Sequence, residues 1–260
     1  MTFDLGRYGS REIMNLQIFN FNNKKPIMTM DYATSAQMEN TAETVYARGG
    51  PGNPRRIAWH GDKETTVTIE TQIFTMQHLA LLAGENIVSG AREIYKNEIK
   101  TVQDDGSGGK VISLSKVPVG TASDIAIYKF VNGIIVGEPQ PIASINNNEI
   151  ELDTLATVNV GDEVSVYYRW NATTAHTLSF TAKGFPPYVF IVGDTVYADE
   201  VAGAMVAAQI TYYKARLQPQ FTISFAPSGD PSTLSLVFDV FPEKVNGVDT
   251  LYDMVIYEDE

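Results

Sequence analysis

The sequence contains no cysteine. Disulfides, thiolate catalysis and zinc–thiolate sites are thereby excluded, and nothing in the fold can depend on the redox state of its surroundings. Charge is sparse, with 19% of the 260 residues Asp, Glu, Lys or Arg. There are only three histidines, His60, His78 and His176. They lie far apart with no metal-ligand spacing around them, which points to structural or solvated roles. His60 falls in a predicted loop and His78 on a predicted helix. No apolar run approaches the ~18 residues that span a bilayer. The longest patches, HLALLAG and YVFIVG, are short, and the start MTFDLGRYGSREIM has no apolar signal core. The expectation is a protein made in the cytoplasm without an export address and with no membrane partner.

Catalytic and ligand-binding patterns are scarce too. GGPGNP has the glycines of a phosphate loop but not its Gly-Lys-Ser/Thr ending, and Pro51 and Pro54 remove two of the N–H donors such a cradle needs. DDGSGG, residues 104–109, has too few alternating carboxylates and no closing bidentate glutamate for a calcium loop. NAT, residues 171–173, matches a glycosylation sequon by chance if nothing exports the chain. No nucleophile, base and orienting group assemble. The expectation is no enzyme, no cofactor and no metal.

What the sequence does have is a period of two. TTVTIET puts Val67 and Ile69 on one face, STLSLVFDVF does the same with Leu234, Leu236, Phe238 and Val240, QFTISF with Phe221, Ile223 and Phe225, and EVSVYYRW with Val164, Val166, Tyr168 and Trp170. Such alternation marks strands with one face on a core. Asn132-Gly133 between IAIYKFV and IIV is a two-residue hairpin turn. VQDDGSGGK, residues 102–110, reads as a flexible connection. One segment, FTMQHLALLAGEN, reads as helix, with Thr75 as N-cap, Met76, Leu79 and Leu82 on one stripe, and Gly84 as the stop. DEVAGAMVAAQ, residues 199–209, is a weaker helix candidate. The domain reading is a core in two parts, residues 1–97 and 183–260, around an inserted β-rich domain, residues 98–182.

The chain is acidic, with net charge −12. The excess is concentrated at the end: residues 185–260 hold 11 acidic and 3 basic side chains. Such a surface repels nucleic acid. Against that background ARGGPGNPRRI stands out, with Arg48, Arg55 and Arg56 among glycines and prolines. The loop grips either a phosphate or another protein.

One order of elements carries a resemblance. YARGGPGNPRRIAWHGDKETTVTIETQIFTMQHLALLAGEN runs from a glycine-rich loop through a threonine-rich strand to a short helix. FPPYVFIVGDTVYADE, then AAQITYYKARLQPQFTISFAPSGDPSTLSLVFDVFPE, then LYDMVIYEDE close the chain. Over roughly residues 24–100 and 176–260 this order resembles the tail tube proteins, or major tail proteins, of tailed bacteriophages, and the piece between resembles an insertion that some members carry. The resemblance implies a mainly β fold, a small antiparallel β-barrel or sandwich with one flanking α-helix, plus an inserted β-sandwich-like domain. It implies copies closing into stacked rings, typically six-fold, around a lumen through which DNA passes without specific binding. It implies joined sheets between neighbours and a long loop between two early strands that reaches the next ring. It carries no catalytic residues. On that reading the loop lies within the stretch from Ala33 to Asp62. Arg48, Arg55 and Arg56 then meet carboxylates of a neighbour, Asp253, Glu258, Asp259 and Glu260, or Asp194 and Asp199, with Tyr46 a further contact residue. The expected partners are further copies and a sheath, terminator or baseplate component. The expected place is the virion tail, assembled in the host cytoplasm. A second reading is a virion decoration or glycan-binding module, with Tyr167, Trp170, Tyr212 and Tyr213 lining a shallow site.

Overall fold

The computed structural model describes residues 7–73, 75–200, 203–223, 227–228 and 231–257. The chain divides into two compact units, one of Met1–Ile87 with Leu178–Glu260 and one of Val88–Thr177. In chain order the first unit begins with β1 (Tyr8–Gly9), β2 (Asn15–Asn20), β3 (Pro26–Met30), β4 (Ser35–Arg48), β5 (Arg55–Thr71) and α1 (Met76–Ala83). The second unit follows with β6 (Val88–Thr101), β7 (Gln103–Asp104), β8 (Lys110–Ser113), β9 (Ala126–Val131), β10 (Ile134–Val136), β11 (Ile142–Asn146), β12 (Glu149–Leu152) and β13 (Glu163–Thr177). The first unit resumes with β14 (Tyr188–Asp199), β15 (Met205–Leu217), β16 (Leu234–Val240), β17 (Glu243–Val245), β18 (Val248–Thr250) and β19 (Tyr252–Tyr257). The protein is mainly β, with several antiparallel sheets and, among the described residues, one α-helix.

In the first unit nine strands form one antiparallel sheet in the order β3-β2-β14-β15-β16-β5-β4, with β1 beside β14 and β19 beside β15. Among the described residues it does not close into a barrel within one copy. The alternation read from the sequence explains its buried face. Thr65, Val67, Ile69 and Thr71 of β5 and Leu234, Leu236, Phe238 and Val240 of β16 all point to the core. Leu16, Ile18, Val189, Ile191, Ile210 and Tyr212 continue it across the sheet, and Leu81 and Leu82 of α1 pack against it. Full burial of each large side chain is worth about 1.5–3 kcal/mol, so this one face carries most of the unit's stability.

The helix ends as its sequence dictates. Thr75 Oγ1 accepts from the His78 N–H at 3.4 Å, and His78 Nδ1 accepts from the Thr75 N–H at 3.0 Å. This is a reciprocal cap with histidine where glutamate or glutamine is usual. Gly84 closes the helix at φ 64°, in the left-handed region. A Cβ there would meet the Phe185 carbonyl oxygen at 2.1 Å, so the position requires glycine twice over.

Two expectations fail here. Of the candidate helix at residues 199–209, Asp199 ends β14 and Met205–Gln209 are strand, while Val201 and Ala202 lie outside the described residues. Residues 205–217 are rich in Val, Ile, Thr and Tyr, and β15 has pairing partners on both sides, which outweighs the helix propensity of the alanines. QFTISF is not a strand over its described residues 221–223. Both edges of β16 are already occupied, by β15 and β5. Phe221 and Ile223 pack against the core from an irregular segment instead.

The second unit is a sandwich of two four-stranded antiparallel sheets, β10-β9-β13-β6 and β11-β12-β8-β7. Ile127, Val164, Val166 and Tyr168 from one sheet meet Ile112, Ile150 and Leu152 from the other. Asn132 (φ 51°) and Gly133 (φ 84°) form the β9–β10 turn, with both residues left-handed as a hairpin turn requires. At one edge the Glu98 side chain, 9% exposed, takes hydrogen bonds from the Tyr168 and Ser115 hydroxyls and lies 3.2 Å from Lys96 Nζ and 3.0 Å from Lys100 Nζ. Burial alone would raise its pKa. The hydrogen bonds from Ser115, Tyr168 and the two lysines outweigh burial and hold it well below the ordinary 4.5. The Tyr168 hydroxyl is pushed up to about 12 by burial and by its bond to Glu98.

Candidate functional site

The expected long loop between Ala33 and Asp62 is a β-hairpin. β4 pairs with β5 from Ser35↔Glu70 out to Arg48↔Arg55. Between Ser35 and Asp62 only Gly49–Pro54 lie outside the strands. The sequence reading went astray because GGPGNP suggested a loop, while the flanking residues keep the strand alternation. His60 likewise sits in β5, where Nδ1 lies 2.9 Å from Thr44 Oγ1.

β16 covers β5 only from Thr65 to Thr71. Beyond Thr65 the β4–β5 hairpin therefore has no third strand. It runs on as a free ribbon for about eight residue pairs, about 25 Å at the usual strand rise. Residues 51–64 are all exposed.

The ribbon has two unlike faces. Val45 lies opposite Trp59 and Ala47 opposite Ile57, which puts all four on one side. Val45, Ile57 and Trp59 are 56%, 55% and 55% exposed, a contiguous apolar strip in water. The other side carries Thr44 with His60 and Tyr46 with Ala58. There the Arg55 guanidinium stacks over the Tyr46 ring, 4.2 Å from its centroid. A two-stranded ribbon is at best marginally stable alone. An apolar strip along one makes burial against another surface favourable.

The tip is built rather than loose. Gly50 (φ 87°), Gly52 (φ 77°) and Asn53 (φ 48°) adopt left-handed backbone that glycine and asparagine tolerate. The Asn53 N–H donates to the Gly50 carbonyl at 2.9 Å, and Arg56 Nε donates to the Gly49 carbonyl at 3.0 Å. Arg56 is the bulged residue, since pairing shifts between Ala47↔Ile57 and Arg48↔Arg55. Thus Tyr46, Arg48, Arg55 and Arg56 gather at the end of the arm, with Arg55 and Arg56 held in place by the tip itself. Among the described residues none of the three arginines is paired with a carboxylate within the chain.

The acidic candidates lie elsewhere in the same unit. Asp253 is on β19 and accepts from the Tyr213 hydroxyl at 2.5 Å. Asp194 on β14 accepts from Gln17 Nε2 at 2.7 Å and Gln209 Nε2 at 2.8 Å, a polar ladder across three strands on the face opposite the core. Asp199 ends β14 opposite Tyr8. Glu258, Asp259 and Glu260 lie outside the described residues. The two basic residues of YYKARL are taken up by aromatics: Lys214 Nζ lies 4.7 Å and the Arg216 guanidinium 5.4 Å from the centre of the Tyr188 ring. Of the aromatics in the glycan-binding reading, Tyr212 is fully buried in the core, and Trp170 is partly buried with Lys116 over its ring.

The residues missed by the sequence reading are Val45, Ile57 and Trp59. Their signal was present as apolar residues two apart on both sides of the tip.

Among the described residues no group of three His, Cys, Asp or Glu side chains could hold a metal ion, and no helix is long and apolar enough to cross a membrane. Compared with known proteins, the chain matches the model of one family, described as the YomU/Tube protein family, over residues 10–252. No curated protein matches it.

Proposed function

Because the chain belongs to the YomU/Tube protein family, a phage tube-type family of structural proteins, we propose that it is the tail tube subunit itself, copies of which close into rings, six to a ring, and stack into a conduit for DNA. The observation that carries this reading is the arm: a two-stranded ribbon of about 25 Å with an apolar face exposed and three arginines at its tip. Such a device has little use in a solitary protein and an obvious one between copies. In the assembly the arm of one subunit lies on the next ring. Val45, Ile57 and Trp59 bury against it, and Arg48, Arg55 and Arg56 meet carboxylates there, among them Asp253, Glu258, Asp259 and Glu260. A charge-assisted pair at a partly dried joint is worth more than an exposed one, which contributes about 0–1 kcal/mol.

Ring closure uses the open sheet. Edge strands normally invite aggregation, and pairing them around a closed ring removes the hazard. The face opposite the core, with the Gln17–Asp194–Gln209 ladder, suits the conduit wall. Amide and carboxylate groups offer phosphates no counter-charge, so DNA slides past without specific binding. No catalytic step is part of this role. Assembly in the host cytoplasm and contact with a sheath, terminator or baseplate component complete it. The test is negative-stain microscopy of the purified protein at rising concentration. Rings or hollow tubes are expected, and monomers at all concentrations would overturn the proposal.

A further inference from the structure

The outer face of the β9–β13–β6 sheet in the second unit carries a feature that tube building does not use. Residues opposite one another across that sheet share a face: Tyr95 with Arg169, Asn97 with Tyr167, and Tyr167 in turn with Ala126. These residues line an open cleft of about 380 Å³, together with Asp124 at its rim. Tyr95 is 83% exposed, so its ring is a free platform that no core packing explains. Tyr167 is braced from the side by Tyr128, with ring centroids 6.4 Å apart and planes at 77°.

The polar groups of the cleft are held in place as well. Arg169 donates to Glu93 at 2.7 Å and to Asp124 at 3.2 Å. Asp124 in turn accepts from the Thr121 N–H at 2.8 Å. Asn97 Oδ1 accepts from the Ser165 hydroxyl at 2.9 Å, and among the described residues the amide N–H pair has no acceptor. Fixed side chains of this kind lose little entropy when a ligand adds further hydrogen bonds.

The chemistry selects a ligand class. The one guanidinium is already matched by two carboxylates and Lys96, which also lines the cleft, is paired with Glu98, so an anion would have to displace those partners; Asp124 is held by Arg169 and by the Thr121 N–H and hydroxyl, so a cation would have to displace these donors. What remains is an aromatic platform beside paired planar donors and acceptors, in a volume within the usual range for small-molecule sites. That combination fits an uncharged polyhydroxylated ring, whose C–H face lies on tyrosine and whose neighbouring hydroxyls bridge amide and carboxylate. We propose that this cleft is a binding site for neutral saccharide, with Tyr95 as the platform and Asn97 and Asp124 as the hydroxyl-reading groups. The proposal stands apart from the tube reading and does not require it.

The test uses the full-length protein and its Tyr95→Ala and Asn97→Ala variants on an array of immobilised neutral glycans with sulfated and sialylated counterparts. Negative-stain microscopy of the same samples is run alongside. The expected result is retention on neutral glycans, with the signal falling at least tenfold in Tyr95→Ala, a change on an exposed side chain that leaves the core intact. Asn97→Ala weakens retention and alters which glycans are held. Assembly is the same in all three proteins. Retention on no neutral glycan, on anionic glycans alone, or equally by Tyr95→Ala overturns the proposal. A Tyr95→Ala variant that loses self-assembly instead also overturns it, because the face would then be a contact between copies.

Discussion

Replacing Val45, Ile57 and Trp59 together by threonine tests whether the apolar strip of the arm is a joint. Threonine keeps the strand preference and removes most of the apolar area. Each of the three side chains is a little over half exposed in a single copy. Complete burial of a large apolar side chain is worth about 1.5–3 kcal/mol, so covering the exposed half of three contributes about 2.5–5 kcal/mol per arm. Ordering the ribbon on its neighbour costs part of this, leaving a net effect of about 1.5–3 kcal/mol, or about ten- to a hundredfold in the association constant. Sedimentation velocity over a concentration series reads the shift directly, with circular dichroism as the control. The strip lies outside the core of the unit, so the β spectrum and melting temperature should change little. If the variant associates at the wild-type concentration with its spectrum intact, the strip is not buried between copies and the reasoning fails.

Substituting Arg48, Arg55 and Arg56 by alanine should weaken stacking by less than the apolar change, and the wild-type stacking should itself weaken between 50 and 500 mM salt; a salt-independent wild type would remove the arginines from the joint. Gly84→Ala places a Cβ on the Phe185 carbonyl and a side chain at positive φ, so it should cost about 2 kcal/mol or more in urea unfolding. His78 is buried, and burial lowers its pKa from 6.5. The unfolded chain then binds the proton more readily, so stability is full above pH 6.5 and declines as pH falls below it, by about 1 kcal/mol as protonation of Nδ1 breaks the helix cap. Melts at pH 8 and pH 5.5 should show that difference, and His78→Gln should reduce it. Glu98→Gln breaks its pairing with Lys96 and Lys100, which are about 30% exposed. The expected loss is about 2 kcal/mol, below the 3–5 of a fully buried pair, read as a lower urea midpoint.

Where a residue's role is set by its neighbours along the chain, it was legible. Val67, Ile69 and the four apolar residues of β16 announce a buried strand face by alternation alone. Thr75 and Gly84 announce both ends of the helix because capping is local chemistry. The failures share a cause. Residues 205–209 look helical from their alanines, but both flanks of β15 supply strand partners that no local window contains. Phe221 to Ile223 alternate like a strand, but both edges of the neighbouring β16 are taken by β15 and β5. The arm was the instructive case. Three arginines among glycines draw attention to the tip, and the hairpin holds Tyr46, Arg48, Arg55 and Arg56 at its end. The same glycines hid the strands on either side, and with them the apolar strip of Val45, Ile57 and Trp59, which only the register of β4 against β5 brings onto one face. The proposed meeting of Asp253 with a neighbour's arm would depend on packing between copies, which no local stretch of sequence encodes.

The absence of cysteine offers a direct test of the central claim, that the arm is seated on another copy. Ala47→Cys places one thiol in the middle of the apolar strip, between Val45 and Ile57, without removing any of its large side chains. The rate of maleimide labelling can then be followed in dilute protein and in assembled particles. The account predicts rapid labelling of the dilute protein and strong protection after assembly. Equal rates in both states would mean that the strip stays in water, and would contradict it.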